Sequence, residues 1–186
     1  MTAGRPLPGV EVIIADDEGK EVSRGEKGEI WVRCDAVVTE YYKDPENTAA
    51  NFQDGFWKSG DVGYMDEDGY IYIVDRKKDM IISGGFNVYA SEVEHALNSH
   101  PAVQQSVVVG IPHEEWGESV HAEVILSEDQ AITPEELIQY CKAKIASYKV
   151  PKTIDYVKEL PTSGVGKVLR RKVREKYWEN QVRNVH

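Results

Sequence analysis

"DRKKDMIISGGFNVYASEVE", Asp75 to Glu94, decides how this chain is organised. It opens on a charge knot from Asp75 to Asp79, passes through Met80, Ile81 and Ile82, and reaches the pair Gly84-Gly85 before an apparent helix start. Upstream the pattern is short strands and turns. Downstream it alternates between helix and strand, so the composition breaks near residues 75–80. The glycine pair allows positive φ or a close approach of backbone to a ligand, and any tight turn would use it too. Ser91 with Glu94 three residues later has the spacing of a capping box. Val93, Ala96 and Leu97 then fall on one side of a helix that stops before Pro101.

Working back from the knot, "GVEVIIA" is β-rich, "DDEG" (Asp16–Gly19) is a turn, and "EIWVR" sets Ile30 and Val32 on one face with Trp31 opposite. "DPENTAANF" (Asp44–Phe52) forms one short helix, and "YIYIV" pairs across the acidic turn Asp66–Gly69 as a second hairpin. Working forward, "VQQSVVVGIP" reads as a buried strand, "SVHAEVIL" as an alternating one and "TIDYV" as a last one. "TPEELIQYCKAKI" is a helix with Thr133 as N-cap, Pro134 at the first helical position and Glu136 completing the box. "VLRRKVREKYW" is a helix with Leu169, Val173 and Tyr177 on its inner face at four-residue spacing.

With 186 residues, 41% of them hydrophobic, the chain can bury a sizeable core as one domain or two small ones. No run approaches the roughly 18 consecutive apolar residues of a membrane span, and the start lacks the pattern of a signal peptide, so no transmembrane segment and a cytoplasmic address are expected. Cys34 and Cys141 lie far apart without metal-like spacing and read as two reduced thiols. The formal charge of −10 is unevenly spread: residues 142–186 hold twelve Lys+Arg against four Asp+Glu, net +8, leaving −18 for residues 1–141. A cationic end on an anionic body suits a phosphate-bearing ligand, with nucleic acid as the rival.

In "SGVGKVLRR", Gly164 and Gly166 deliver Lys167 just ahead of a basic helix, where backbone N–H groups and an ammonium could converge on an anion. It is not a P-loop: Pro161 stands where the first glycine would be needed and Val168 follows the lysine. An ordinary flexible loop is the plain reading. In "WKSGDVG", Asp61 is either a turn aspartate capping its own backbone or a carboxylate able to accept both hydrogen bonds of a sugar diol. "DRKKD" alone reads as a solvated charge run. "HEEWGESVH" is no zinc-protease motif, because Gly117 stands where the second histidine would fall; His113 and His121 are surface or strand residues.

Taken in order, "GRPLPGVEV" (Gly4–Val12), "WKSGDVG" (Trp57–Gly63), "DRKKDMIISGGFNVYASEVE", "HPAVQQSVVVGIPHEEWGE" (His100–Glu118), "YKVPK" (Tyr148–Lys152) and "LPTSGVGKVLRR" (Leu160–Arg171) resemble successive signatures of one family. That family is the adenylate-forming, AMP-binding enzymes: acyl-CoA synthetases, aryl-CoA ligases, luciferases and the adenylation domains of peptide synthetases. The likeness spans nearly the whole chain, and six ordered matches are far more specific than any one.

The resemblance implies a role for each matching residue. Asp61 would hold the ribose hydroxyls of ATP, helped by Arg76. Lys78 matches the hinge about which the family's small C-terminal domain turns. Ser83, Gly84 and Gly85 would line the channel for the pantetheine arm of coenzyme A. Lys167 would be the catalytic lysine of the first half-reaction. The Ser/Thr/Gly-rich phosphate loop and the segment carrying the magnesium-binding glutamate are not in this sequence, which resembles the last subdomain of the large adenylation domain (residues 1–77) plus the small C-terminal domain, so the ligands for Mg2+ would lie in the N-terminal part of that adenylation domain. Ser163 stands where many relatives have threonine.

The expected fold is α+β: a small β-rich, barrel-like subdomain over residues 1–77, then an α/β lid domain over 78–186 with a central sheet flanked by helices. The expected function is the C-terminal portion of an ATP-dependent acyl-CoA synthetase, silent alone, with a small carboxylic acid and CoA as partners and no nucleic acid. A peptidyl-carrier acceptor, a non-catalytic CoA- or nucleotide-binding subunit and a basic nucleic-acid module are the alternatives. The acid itself is not specified by these residues.

Overall fold

The computed structural model describes residues 2–179. The last seven residues of the expected lid domain, 180–186, lie outside the described residues. The fold is α+β, and the contacts part into two compact units between Lys78 and Asp79.

The first unit contains β1 (Glu11–Ala15), β2 (Gly28–Arg33), α1 (Pro45–Asn51), β3 (Phe52–Gln53), β4 (Phe56–Met65) and β5 (Ile71–Arg76). The sheet runs β1-β2-β4-β3, with β5 also on β4, and every pairing is antiparallel. Strand period sorts its apolar side chains to two faces: Ile14, Ile30 and Met65 on one, Ala15, Trp31 and Phe56 on the other. A bridge from Gly4 to Ile71 ties the leading segment to β5, while the same segment continues as β1 on the opposite edge, which curls the sheet. α1 buries no side chain; it is held at its start by Asp44, whose carboxylate accepts the Asn47 amide at 3.1 Å, and by Pro45 in its first turn.

A 3₁₀ turn, Lys77–Asp79, spans the junction. The second unit then follows as β6 (Ile81–Ser83), β7 (Phe86–Val88), α2 (Ala90–Asn98), β8 (Val103–His113), β9 (Gly117–Leu126), α3 (Pro134–Lys142), β10 (Thr153–Tyr156) and α4 (Arg170–Trp178). β8 and β9 form a long antiparallel hairpin, β10 lies parallel to β9, and the β6–β7 hairpin joins through Ser83 opposite Gly117. Alternation again decides which side each residue serves. Val108, Val120, Ala122 and Val124 pack under α2 and α3 against Val93, Leu97, Leu137 and Cys141, while Val107 and Val109 pack under α4 against Leu160 and Val173. The sheet is thus flanked by helices on both faces. No described helix is long and apolar enough to cross a membrane.

The box at α3 forms as read: Thr133 Oγ1 accepts the Glu136 amide at 3.2 Å, and the Glu136 carboxylate accepts the Thr133 amide at 2.8 Å. The box at Ser91 does not form. Tyr89 is the N-cap of α2, with no side-chain capping bond, and Ser91 lies inside the first turn. Tertiary packing sets this start, because Val88 and Ala90 are both fully buried and fix where β7 ends and the helix begins.

Candidate functional sites

The charge knot is not a solvated run; its members divide between the two units. Asp75 is buried and accepts the Arg76 amide at 2.8 Å. The β4–β5 register sets Arg76 opposite Asp61, and the two form an ion pair with Arg76 Nε 2.7 Å from Asp61 Oδ1. Lys77 Nζ reaches Asp17 at 3.0 Å and Glu29 at 3.2 Å. Burial alone would lower the Lys77 pKa, and these two carboxylates outweigh it and hold the ammonium above its ordinary value. Asp79, by contrast, pairs with Arg170 of α4 in the second unit. Lys78 is the last residue before the contacts part.

Asp61 is not a turn aspartate. It sits within β4, just before the irregularity between Val62 and Gly63, and its own amide donates to Ser59 Oγ at 3.0 Å. With Oδ1 taken by Arg76, Oδ2 is left for a hydroxyl donor, which fits a carboxylate that holds a diol. Behind it stands Glu29, 8% exposed, whose carboxylate accepts the Gly60 amide at 3.1 Å. Sequence reasoning passed over Glu29, since in "KGEIWVR" it looks like an ordinary outward-facing strand residue.

Ser83 and Phe86 are a cross-strand pair, so Gly84 and Gly85 are the two central residues of the β6–β7 turn. Their φ values of +57° and +81° are those of a type I′ hairpin, which side chains resist. The Gly84 amide donates to the Trp116 carbonyl at 3.0 Å, fixing the turn to the β8–β9 connection. Ser83 is buried, whereas Phe86 is exposed and its ring lies 4.9 Å from that of Tyr148.

Lys167 closes a second turn. The Ser163 amide donates to the Lys167 carbonyl at 2.8 Å, the Gly166 amide to the Ser163 carbonyl at 2.8 Å, and the Lys167 amide to Ser163 Oγ at 3.2 Å. The loop is ordered by its own bonds, yet residues 164–167 are exposed and Lys167 makes no ion pair among the described residues. An ammonium without a local counter-ion, on a turn with no slack, is able to meet an incoming anion. Other cations of the second unit are paired: Lys149 with Glu92, Lys176 with Glu123 and Arg171 with Glu175.

One further polar group was not anticipated. His121 lies on β9 as expected but is only 2% exposed, facing α4 together with Glu123. Its Nδ1 is 2.7 Å from Thr153 Oγ1 and its Nε2 2.9 Å from the Tyr177 hydroxyl, which itself donates to Glu123 at 3.0 Å. Tyr177 therefore packs in the core as read and also anchors a polar network. Burial pushes the Cys141 thiol up to about 11, so it is an inert core residue. Among the described residues no group of three or more His, Cys, Asp or Glu side chains could hold a metal ion.

The comparisons agree on a family. The AMP-binding enzyme C-terminal domain matches residues 92–167, and the AMP-binding enzyme domain matches residues 1–42. A long-chain-fatty-acid–CoA ligase of Yersinia pestis is 45% identical over 172 residues, covering 92% of this chain and 30% of its own length. The fatty acid–[acyl-carrier-protein] ligase ScoC of Streptomyces coeruleorubidus is 41% identical over 186 residues, covering 100% of this chain and 36% of its own. The crystal structure of ATP-bound MatB from Rhodopseudomonas palustris superimposes with a TM-score of 0.89 at 38% identity, over 95% of this chain and 35% of that one. The chain thus spans about a third of the length of the relatives it matches. Two family domains in their expected order, on two compact units, place this chain in the adenylate-forming, AMP-binding enzyme family.

Proposed function

We propose that this chain supplies the last subdomain of the adenylation domain, residues 1–77, and the mobile C-terminal lid, residues 78–186, of an ATP-dependent acid–thiol ligase of the acyl-CoA synthetase type, acting in the cytoplasm with the rest of the adenylation domain. The reaction joins a carboxylic acid, fatty or aryl, to CoA through an acyl-adenylate, releasing pyrophosphate and then AMP. The observation that carries this reading is the exposed, self-bonded turn presenting Lys167, on a unit that begins one residue after Lys78.

In the first half-reaction a carboxylate oxygen attacks the α-phosphorus of ATP and the bond to pyrophosphate breaks. Both reactants are anions, so an ammonium placed between them lowers their repulsion and stabilises the charge that builds up, an effect worth about 3 kcal/mol for a single well-placed donor. Lys167 takes this role, while Asp61 Oδ2 accepts from the ribose hydroxyls and Arg76 keeps the Asp61 carboxylate oriented. In the second half-reaction the thiol attacks the acyl carbon and AMP leaves. The lysine has to vacate that space. Rotation about Lys78 withdraws it and brings the Ser83-Gly84-Gly85 turn forward, where the absence of side chains on both glycines leaves room for a narrow thiol-bearing arm. Mg2+, when bound, offsets triphosphate charge, and its ligands belong to the adenylation domain.

The test is Lys167→Ala in the enzyme with its adenylation domain, assayed by pyrophosphate exchange over a panel of acids and by thioester formation from supplied acyl-adenylate. Exchange should fall about a hundredfold or more with thioester formation largely spared; an equal loss in both removes the assignment. Residues 1–186 alone should show no exchange. Supplying CoA and a phosphopantetheinyl carrier protein in parallel decides the acceptor, since relatives of both kinds match this chain.

A further inference from the structure

Arg170 opens α4 three residues after Lys167. Its guanidinium, 21% exposed, donates in two directions. Nη1 reaches Asp79 Oδ2 at 2.9 Å, and Nη2 reaches Glu94 Oε2 at 2.8 Å and Oε1 at 2.9 Å. Glu94 lies in α2, and its Oε1 also accepts the Val108 amide of β8 at 2.9 Å. One side chain therefore ties together the start of α4, the middle of α2, the edge of β8 and the residue that directly follows Lys78.

The start of α4 depends on this arrangement. Leu169, its N-cap, makes no side-chain capping bond, and the first turn holds Arg170, Arg171 and Lys172 with no acidic residue. Three cations at a helix N-terminus oppose its macrodipole, so the carboxylates of Asp79 and Glu94 provide the compensating charge that the local sequence lacks. The planar guanidinium fork presents separate N–H groups to Asp79 and to both oxygens of Glu94 in a fixed geometry, which a lysine ammonium, donating from a single atom, does not reproduce. From Arg170 back to Lys167 there is little slack. The Leu169 amide donates to the Pro161 carbonyl at 2.7 Å, and Thr162 bridges to Val168.

We infer that Arg170 is a positioning residue: it fixes the Lys167 turn to Asp79, so that rotation at Lys78 reaches the Lys167 ammonium as one rigid displacement. This rests on the roles proposed above for Lys78 and Lys167, and its test has an arm that does not.

That arm is hydrogen exchange on this chain. Arg170→Lys should speed exchange of the Gly166, Leu169 and Val108 amides about threefold or more, as local openings that do not require global unfolding. Unchanged protection at these three amides overturns the inference whatever Lys167 does. Should Arg170→Lys not fold, Asp79→Asn keeps the Glu94 pairing and gives the same readout at Gly166 and Leu169. The second arm is a double-mutant cycle in the enzyme with its adenylation domain. Arg170→Lys alone should slow adenylate formation roughly tenfold, the scale of a misplaced group, with thioester formation from acyl-adenylate unchanged. In a Lys167→Ala background it should have no further effect, because its influence passes through that lysine. Losses that multiply instead show a general structural role and overturn the inference. If Lys167→Ala itself leaves adenylation intact, the ligase role of Lys167 fails, and the exchange arm still decides whether Arg170 holds the turn.

Discussion

Asp61 and Arg76 face one another across β4 and β5 as an ion pair, with Arg76 Nε 2.7 Å from Asp61 Oδ1. The contact does little for folding. The Arg76 side chain is 58% exposed, and pairs of that kind contribute about 0–1 kcal/mol once solvent screening and side-chain entropy are counted. On the function proposed above, its use is orientation: one carboxylate oxygen is held by Arg76 and the other is left for the nucleotide.

Asp61→Asn separates the two contributions. The variant keeps the shape and one acceptor oxygen, so the melting temperature should move by no more than about 3 °C. If this carboxylate holds a ribose diol, ATP affinity of the enzyme with its adenylation domain should fall about tenfold, the cost of weakening one charge-assisted hydrogen bond. Calorimetric titration beside thermal melts checks both. Unaltered affinity would remove Asp61 from the nucleotide site.

Gly85→Ala tests the hairpin turn. A Cβ at Gly85 meets nothing within 4 Å, so the whole cost comes from its φ of +81°. The left-handed region costs a side-chain-bearing residue about 1–2 kcal/mol, and the urea midpoint should drop accordingly with the slope unchanged. Gly85→Asn should lose less, since asparagine tolerates this region. Equal stability for wild type and Gly85→Ala would mean that the turn is not type I′ in solution.

The strands and helices were readable from sequence because strand period and helix capping act locally. Ile30 and Val32 against Trp31, or Thr133 with Glu136, need no knowledge of distant partners. Ser91 shows where local rules give way: its box is overridden by the burial of Val88 and Ala90 on either side of Tyr89. The charge knot was misread on its own composition for a related reason. Arg76 and Lys77 meet carboxylates from β4 and β2, and Asp79 meets a guanidinium far along the chain. Lys167 and the glycine pair were singled out by their motifs. Arg170, Glu29 and His121 were not, because only the three-dimensional pairing reveals that these polar side chains are buried or bound rather than turned to water.

Lys78→Pro should distinguish a pivot from a passive linker. Proline fixes φ near −65° and constrains the preceding residue, Lys77, away from helical conformations. A 3₁₀ turn that must adopt two backbone states would be confined. Thioester formation should fall more than adenylation, by about tenfold relative to it, if the turn is needed between the half-reactions. Equal losses would point to simple damage at the Lys77–Asp79 turn.

His121 sets a pH dependence whose sign can be worked out from its partners. The Tyr177 hydroxyl donates to Glu123, so its oxygen is free to accept from Nε2–H, and Nδ1 is left to accept from Thr153. A neutral ring satisfies every member of this network. Burial lowers the His121 pKa from its ordinary 6.5, and Lys176 adds to that, while Asp155 and Glu123 oppose it without prevailing. The unfolded chain therefore takes up its proton first as pH falls. The contribution of His121 to stability is complete above about 6.5 and is lost as pH drops from there through the lowered folded value. Urea denaturation at intervals between pH 7.5 and 5 should show stability declining in this window, and His121→Gln should flatten the decline by removing the titrating group. The opposite slope, with wild type gaining on the variant as pH falls, would mean that Asp155 and Glu123 hold the ring charged and that α4 is docked by an ion pair rather than by a neutral hydrogen-bonded chain.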